Sequence, residues 1–149
     1  MTASIATNQT ILVVGGGISG MTAALEAAEC GKQVILVEKT PVLGGRTARL
    51  YRYFPKMCHP TCGLEINLRR IKQNRNIRLM TLTEVTAVSG SRGNYEVTLK
   101  VSPRFVNENC TACGKCGEAV TAEVSNPWNY GLDKMKAAYL PHNMAHPQR

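Results

Sequence analysis

Apolar residues gather in short blocks over the first 40 positions and thin out towards the C-terminus. Thr10-Ile11-Leu12-Val13-Val14 runs into Gly15-Gly16-Gly17. A short apolar run bounded by glycine predicts a buried parallel strand. Ile18 to Cys30 is rich in alanine and other good helix formers and stops at Gly31, which suits a helix end. Gln33–Glu38 predicts a second buried strand. Further on, Leu64, Leu68 and Ile71 form an i, i+4, i+7 stripe, which predicts a helix over Gly63–Asn74. Ile77–Met80 predicts a short strand. Residues 84–89 and 94–101 flank Gly90-Ser91-Arg92-Gly93, and Tyr95, Val97, Leu99 and Val101 alternate, as in a hairpin.

The chain has 149 residues, enough for about one domain with a real core. Apolar residues make up 44% and charged ones 19%, which excludes a disordered tail or a fibre. No apolar run is long enough to predict a membrane span. Residues 1–9 form a polar lead-in with no basic stretch ahead of an apolar one, unlike a secretory signal.

The formal net charge of +8 invites a nucleic-acid reading, but its distribution argues otherwise. Residues 46–78 hold nine basic side chains against the single acid Glu65, and the remainder is balanced. So local a field suits one phosphate-bearing ligand or one acidic partner surface. Aromatic residues, needed to stack bases, are only 5% of the chain, so nucleic acid is not expected as a partner. Arg69, Arg70, Lys72 and Arg75 read as the solvated face of a helix.

Gly15-x-Gly17-x-x-Gly20 stands between the first strand and the first helix, and Glu38 closes the second strand. That context raises a weak motif to a dinucleotide-binding reading on a Rossmann-like fold. Gly15 allows the tight turn, Gly17 lets backbone approach a pyrophosphate, and Gly20 lets helix and strand pack closely. Gly16, Ile18 and Ser19 complete the turn, whose helix N-terminus supplies N–H donors. Glu38 can accept hydrogen bonds from an adenosine ribose and would repel a 2′-phosphate. Beyond it come Lys39 and then Gly44-Gly45-Arg46. This arrangement resembles the N-terminal FAD-binding segment of two-dinucleotide flavoproteins, and the resemblance makes FAD the expected dinucleotide and Arg46 a cofactor contact. NAD-binding halves usually lie deeper in their chains.

Six cysteines stand at 30, 58, 62, 110, 113 and 116. Without a secretory signal, a reducing compartment is expected and disulfides are not. Cys30, alone at a helix end, reads as a small buried hydrophobe. Cys110-x-x-Cys113-x-x-Cys116 matches the first three ligands of a bacterial-type [4Fe–4S] loop, but Val120 stands where the fourth would be. Cys58 or Cys62 could complete the set. The favoured one is Cys62, because it precedes Gly63 and a predicted helix whose dipole would stabilise a thiolate. A redox dithiol at 58/62 and a structural zinc site stay open as alternatives.

The glycine turn, Gly44-Gly45-Arg46, the cysteine pair, Val101-Ser102-Pro103-Arg104-Phe105-Val106 and the three-cysteine run together resemble the A-type subunit family of heterodisulfide reductases. Residues 51–62, 126–131 and 136–142 are similar in detail to the A-type, FAD-binding subunit of quinone-interacting membrane-bound oxidoreductase complexes. The resemblance covers residues 10–149. It implies an oxidoreductase subunit of sulfur metabolism that holds FAD and a [4Fe–4S] cluster beside other iron–sulfur and flavin subunits. It also implies a cytoplasmic location, with membrane association only through partners. Members are much longer, so the chain reads as an N-terminal piece without a second dinucleotide fold. The expected fold is α/β: an incomplete Rossmann-like FAD-binding region over 10–101, with an inserted β-hairpin, then an iron–sulfur cysteine loop and C-terminal segment over 102–149. No catalytic residue is assigned. The competing function is a non-enzymatic zinc- or partner-binding module on a Rossmann core.

Overall fold

A computed structural model describes residues 9–106, 109–142, 144 and 145. Most of the polar lead-in therefore lies outside the described residues. The first elements are β1 (Ile11–Val14), α1 (Ile18–Glu29) and β2 (Val34–Val37). After a 3-10 turn at Thr47–Arg49 come α2 (Thr61–Gln73) and β3 (Ile77–Met80). The strands β1, β2 and β3 form one parallel sheet in that order. The fold is α/β and Rossmann-like, as the strand–turn–helix–strand pattern implied.

Register explains the core. Val13 pairs with Leu36 and Leu36 with Leu79, while Val34 pairs with Ile77, so all five share one sheet face. On that face pack Met21, Ala24, Leu25 and Ala28 of α1 and Leu64, Leu68 and Ile71 of α2. Each helix contributes one stripe spaced by three or four residues, which is why both lie on the same side. Burying a side chain such as Leu25 contributes about 1.5–3 kcal/mol. At the rim, Arg70 Nη2 meets Glu29 Oε1 at 2.6 Å and ties α2 to α1.

The first strand departs from expectation. β1 is the edge of the described sheet, and Val14 is 63% exposed, so only β2 is the buried strand the sequence led us to expect. Cys30 is exposed rather than buried. It follows Glu26 by four residues and so shares that residue's outward side, while the buried stripe passes through Met21, Leu25 and Ala28.

Two small sheets complete the chain. β4 (Thr83–Ser91) and β5 (Asn94–Val101) form the hairpin, with a register shift between Val85 and Ala87. The strands reach closer to the turn than predicted: Gly90 and Ser91 pair with Tyr95 and Asn94. A short helix α3 (Lys115–Ala119) follows the cysteine loop, and β6 (Glu123–Ser125) pairs with β7 (Lys134–Lys136). Among the described residues no helix is long and apolar enough to cross a membrane.

Candidate functional site

The glycine turn is assembled by close backbone approach. A Cβ on Gly20 would stand 1.8 Å from the Gly15 carbonyl oxygen, so only glycine lets α1 start this near the end of β1. Gly15 itself has φ +105. A Cβ on Gly17, by contrast, would meet no atom within 4 Å. Space therefore opens beside Gly17 at the N-terminus of α1. That helix has no side-chain cap and no acid in its first turn. The first-turn amides of Ile18, Ser19 and Gly20 and the positive end of the dipole are free to meet an anion. An anionic pyrophosphate fits this cradle.

The Gly44-Gly45 pair closes on the same turn. Gly44 N–H donates to the Gly16 carbonyl at 2.9 Å, and a Cβ on Gly45 would lie 2.9 Å from Gly17 Cα. Arg46 follows, exposed, just before the 3-10 turn. The sequence pairing of the two glycine motifs is thus a physical contact.

Glu38 does more than sequence reasoning assigned to it. It is only 8% exposed, and its Oε2 accepts a hydrogen bond from Gly16 N–H. Its Oε1 accepts from the Thr40 amide at 2.7 Å and the Thr40 hydroxyl at 2.8 Å. The carboxylate thus locks the turn to the loop after β2. Each oxygen has two lone pairs, so capacity for a ribose hydroxyl remains. Thr40 was missed in the sequence, although a hydroxyl two residues past a strand-end acid is a readable signal. Lys39 sends its ammonium to Glu84, 3.1 Å away on β4, rather than into the turn.

The cysteines form two separate groups. Cys58 lies in a tight loop in which Tyr53 N–H donates to the Cys58 carbonyl at 3.3 Å. A backbone bridge sets Tyr53 beside Cys58, and interaction with the Cys58 side chain, with a lesser part from burial and Cys62, holds the phenol above its usual range. Cys62 stands in the first turn of α2, which begins at Thr61, two residues earlier than expected. Tyr53 therefore joins the thiol pair, a contact that no spacing rule announces.

Cys110, Cys113 and Cys116 occupy the other loop, and Cys116 lies on α3 rather than on irregular chain. Ala112 (φ +55) and Gly114 (φ +81) curl the backbone so that amides face sulfur. Ala112 N–H donates to Cys110 Sγ at 3.4 Å. The Lys115 amide, then the Thr111 hydroxyl, lower the Cys113 thiol below its ordinary range. Amide donors of this kind favour thiolates, the form that binds metal. Yet among the described residues no three His, Cys, Asp or Glu side chains come close enough together to hold a metal ion. The donor set suits a cluster in kind, but the described residues do not bring the two cysteine groups into one site.

In the basic segment, Arg69 pairs with Glu65 at 3.0 Å and Arg70 with Glu29, so part of it is neutralised locally. Arg49 stacks over Trp128 at 4.7 Å and Arg52 over Tyr51 at 5.2 Å. A cleft of about 160 Å³ lies between the loop over 40–49 and the segment over 127–142, walled by Trp128, Tyr139 and His142.

A strand, an open glycine turn, an uncapped helix and an acid-locked second strand define a dinucleotide-binding fold. Residues 10–107 match the model of the FAD dependent oxidoreductase family, and the chain belongs to that family. FAD, the dinucleotide expected from the sequence, is that family's cofactor. The chain is 43% identical over 137 residues to a CoB–CoM heterodisulfide reductase iron-sulfur subunit, of the A type, from Methanopyrus kandleri, covering 91% of this chain and 21% of that protein. It is 41% identical over 144 residues to the corresponding subunit of Methanocaldococcus jannaschii, covering 94% and 22%. The A-type subunit of a ferredoxin/F420H2-dependent CoB–CoM heterodisulfide reductase from Methanosarcina acetivorans shares 38% over 143 residues, covering 95% and 18%. These matches bear out the resemblance to the A-type subunits, and the chain spans about a fifth of the length of these relatives.

Proposed function

We propose that this chain is the FAD- and iron–sulfur-binding portion of an electron-transfer subunit in a heterodisulfide-reductase-like complex. The observation that carries the proposal is the open cradle at Gly17, roofed by Gly45 and backed by an uncapped helix. Gly15, Gly16 and Gly17 with the amides of Ile18, Ser19 and Gly20 would hold the pyrophosphate. Glu38 would take the ribose, while Gly44, Gly45 and Arg46 would line the path to the flavin. Lys39 would approach the cofactor only by leaving Glu84. Bound FAD supplies exchange of electrons one or two at a time; the protein positions it and tunes its potential.

The finer parts of the reading are a [4Fe–4S] cluster on Cys110, Cys113 and Cys116 with Cys62 or Cys58, and partners that are iron–sulfur and flavin subunits of sulfur metabolism. Support comes from the three-thiol spacing, the amide-to-sulfur bonds and the names of the relatives. A quinone-interacting assembly, reached through a partner at the inner face of the membrane, is proposed from the motifs over 51–62 and 126–142. The division into regions 10–101 and 102–149 follows the same reading.

The test uses Gly17→Val. Among the described residues no atom lies within 4 Å of a Cβ at Gly17, so the variant should fold as the wild type does. Its Cβ branches occupy the ligand's space, and FAD affinity should fall by about 1.5–3 kcal/mol or more, the size of a lost charge-assisted hydrogen bond. Flavin absorbance after dialysis reads the outcome, and wild-type occupancy in the variant would refute the cradle. Iron and zinc analysis of anaerobically purified protein separates a cluster from structural zinc.

A further inference from the structure

The C-terminal segment reaches back to the cofactor loop through one side chain. His142 Nε2 lies 3.2 Å from the carbonyl oxygen of Leu43, 99 positions away in the chain. Leu43 is fully buried, and a Cβ on Gly16 would strike its Cδ2 at 2.3 Å, so it packs directly under the glycine turn. The next residue, Gly44, donates to Gly16 and holds φ +122. A Cβ on Gly44 would stand 3.5 Å from His142 Nε2. The imidazole therefore braces the back of the loop whose front, Gly45, presses on Gly17.

Hydrogen-bond logic settles the donor. A carbonyl only accepts, so Nε2 carries a proton. His142 Nδ1 is buried and has no hydrogen-bond partner among the described residues. The ring also walls two cavities, the cleft beside Trp128 and a smaller one beside His59 and Pro60.

We propose that His142 is a positioning residue: its Nε2–H holds the loop over 43–46 against the glycine turn and ties the cysteine-bearing segment to the dinucleotide site. The proposal rests on the FAD reading above for its consequence, since the loop it positions is the one assigned to the cofactor. A loop already fixed by His142 loses less conformational freedom when a dinucleotide binds, so docking of the segment and binding reinforce each other.

The experiment compares the full 149-residue chain with H142L and H142Q. Leucine keeps volume without a donor. Glutamine places an amide nitrogen near the position of Nε2 and can still donate. Two readouts need no cofactor: hydrogen exchange of the Gly44 amide, and emission of Trp128, the single tryptophan of the chain. In H142L, Gly44 exchange should accelerate, Trp128 emission should shift to the red, and added FAD should bind about tenfold more weakly, the size of one hydrogen bond. H142Q should return all three towards wild type. Equal defects in H142L and H142Q would reduce His142 to packing and overturn the proposal, as would wild-type exchange and emission in H142L. Should H142L fail to fold, H142N replaces it, because that amide reaches the Nδ1 position and not Leu43. A wild-type chain that takes up no FAD would sink the dinucleotide reading alone, and the exchange and emission results would still decide the positioning role.

Discussion

Residues 11–80 and residues 109–142 are built on different physics. Among the described residues every buried hydrophobic except Ala145 lies between Met21 and Ile71. The sheet and its two helices are held by apolar burial, which is non-directional and roughly proportional to the area removed from water. The cysteine-bearing segment buries no hydrophobic side chain fully. Its order comes from backbone and polar links: the β6–β7 ladder, Asn126 accepting the Trp128 amide at 2.9 Å, and Lys136 reaching the Val120 carbonyl at 2.9 Å. Its ties to the rest include Arg49 over Trp128 and His142 on Leu43. The difference teaches where ligands matter. A region without a core gains most from a metal or a partner, because binding free energy then becomes folding free energy.

The contrast can be broken most strongly at Leu25. Leu25→Ala should cost about 2–5 kcal/mol in urea denaturation, as buried leucine truncations do. The matching truncation Val124→Ala on the outlying β6 should stay within about 0.5 kcal/mol. Comparable losses at the two sites would mean that the cysteine segment has a core of its own.

Gly20→Ala ranks next. The added methyl must displace either the Gly15 carbonyl or the start of α1, at a cost of about 1–3 kcal/mol or more. Unlike Gly17→Val, it should lower the melting temperature as well as FAD retention. A Gly20→Ala protein with wild-type melting would show that the turn is looser than its 1.8 Å approach requires.

The smallest effect lies in the cysteine loop. Because the Lys115 amide and the Thr111 hydroxyl stabilise the Cys113 thiolate, its thiol ionises below the ordinary range. More thiolate is present at a given pH, so alkylation of Cys113 should set in at lower pH than for an ordinary thiol. Thr111→Val removes the lesser of the two donors and should move that onset upwards in metal-free protein, slowing alkylation at neutral pH by about twofold to tenfold, as expected for part of one hydrogen bond. An unchanged pH profile, followed by mass spectrometry, would count against the donor.

The Rossmann-like unit was legible because its signals are local. A four-residue apolar strand, a glycine turn and a helix of period 3.6 lie within 20 positions, and chain geometry leaves few other ways to arrange them. The hairpin and α2 were legible for the same reason, with boundaries off by one or two residues. Cys30 was misread because burial at a helix end depends on which side of the helix faces the sheet, and only the packing of α1 sets that. The start of α2 at Thr61 was missed because the apolar stripe that announced the helix begins only at Leu64, whereas Pro60 sits at the helix cap.

The sequence by itself determined the chemistry on offer: a dinucleotide turn, an acid at the second strand, two groups of thiols and a basic stretch around the first of them. Short-range spacing is enough for this, since residues a few positions apart cannot separate. Tertiary structure alone decided which groups meet. It turned Glu38 into the lock on Gly16, gave Thr40 the other oxygen, set Tyr53 beside Cys58, and brought His142 to a carbonyl 99 residues away. Such pairings follow from how the sheet, the loops and the C-terminal segment fold back on one another, and pairwise contact across the fold leaves no periodic trace in the chain.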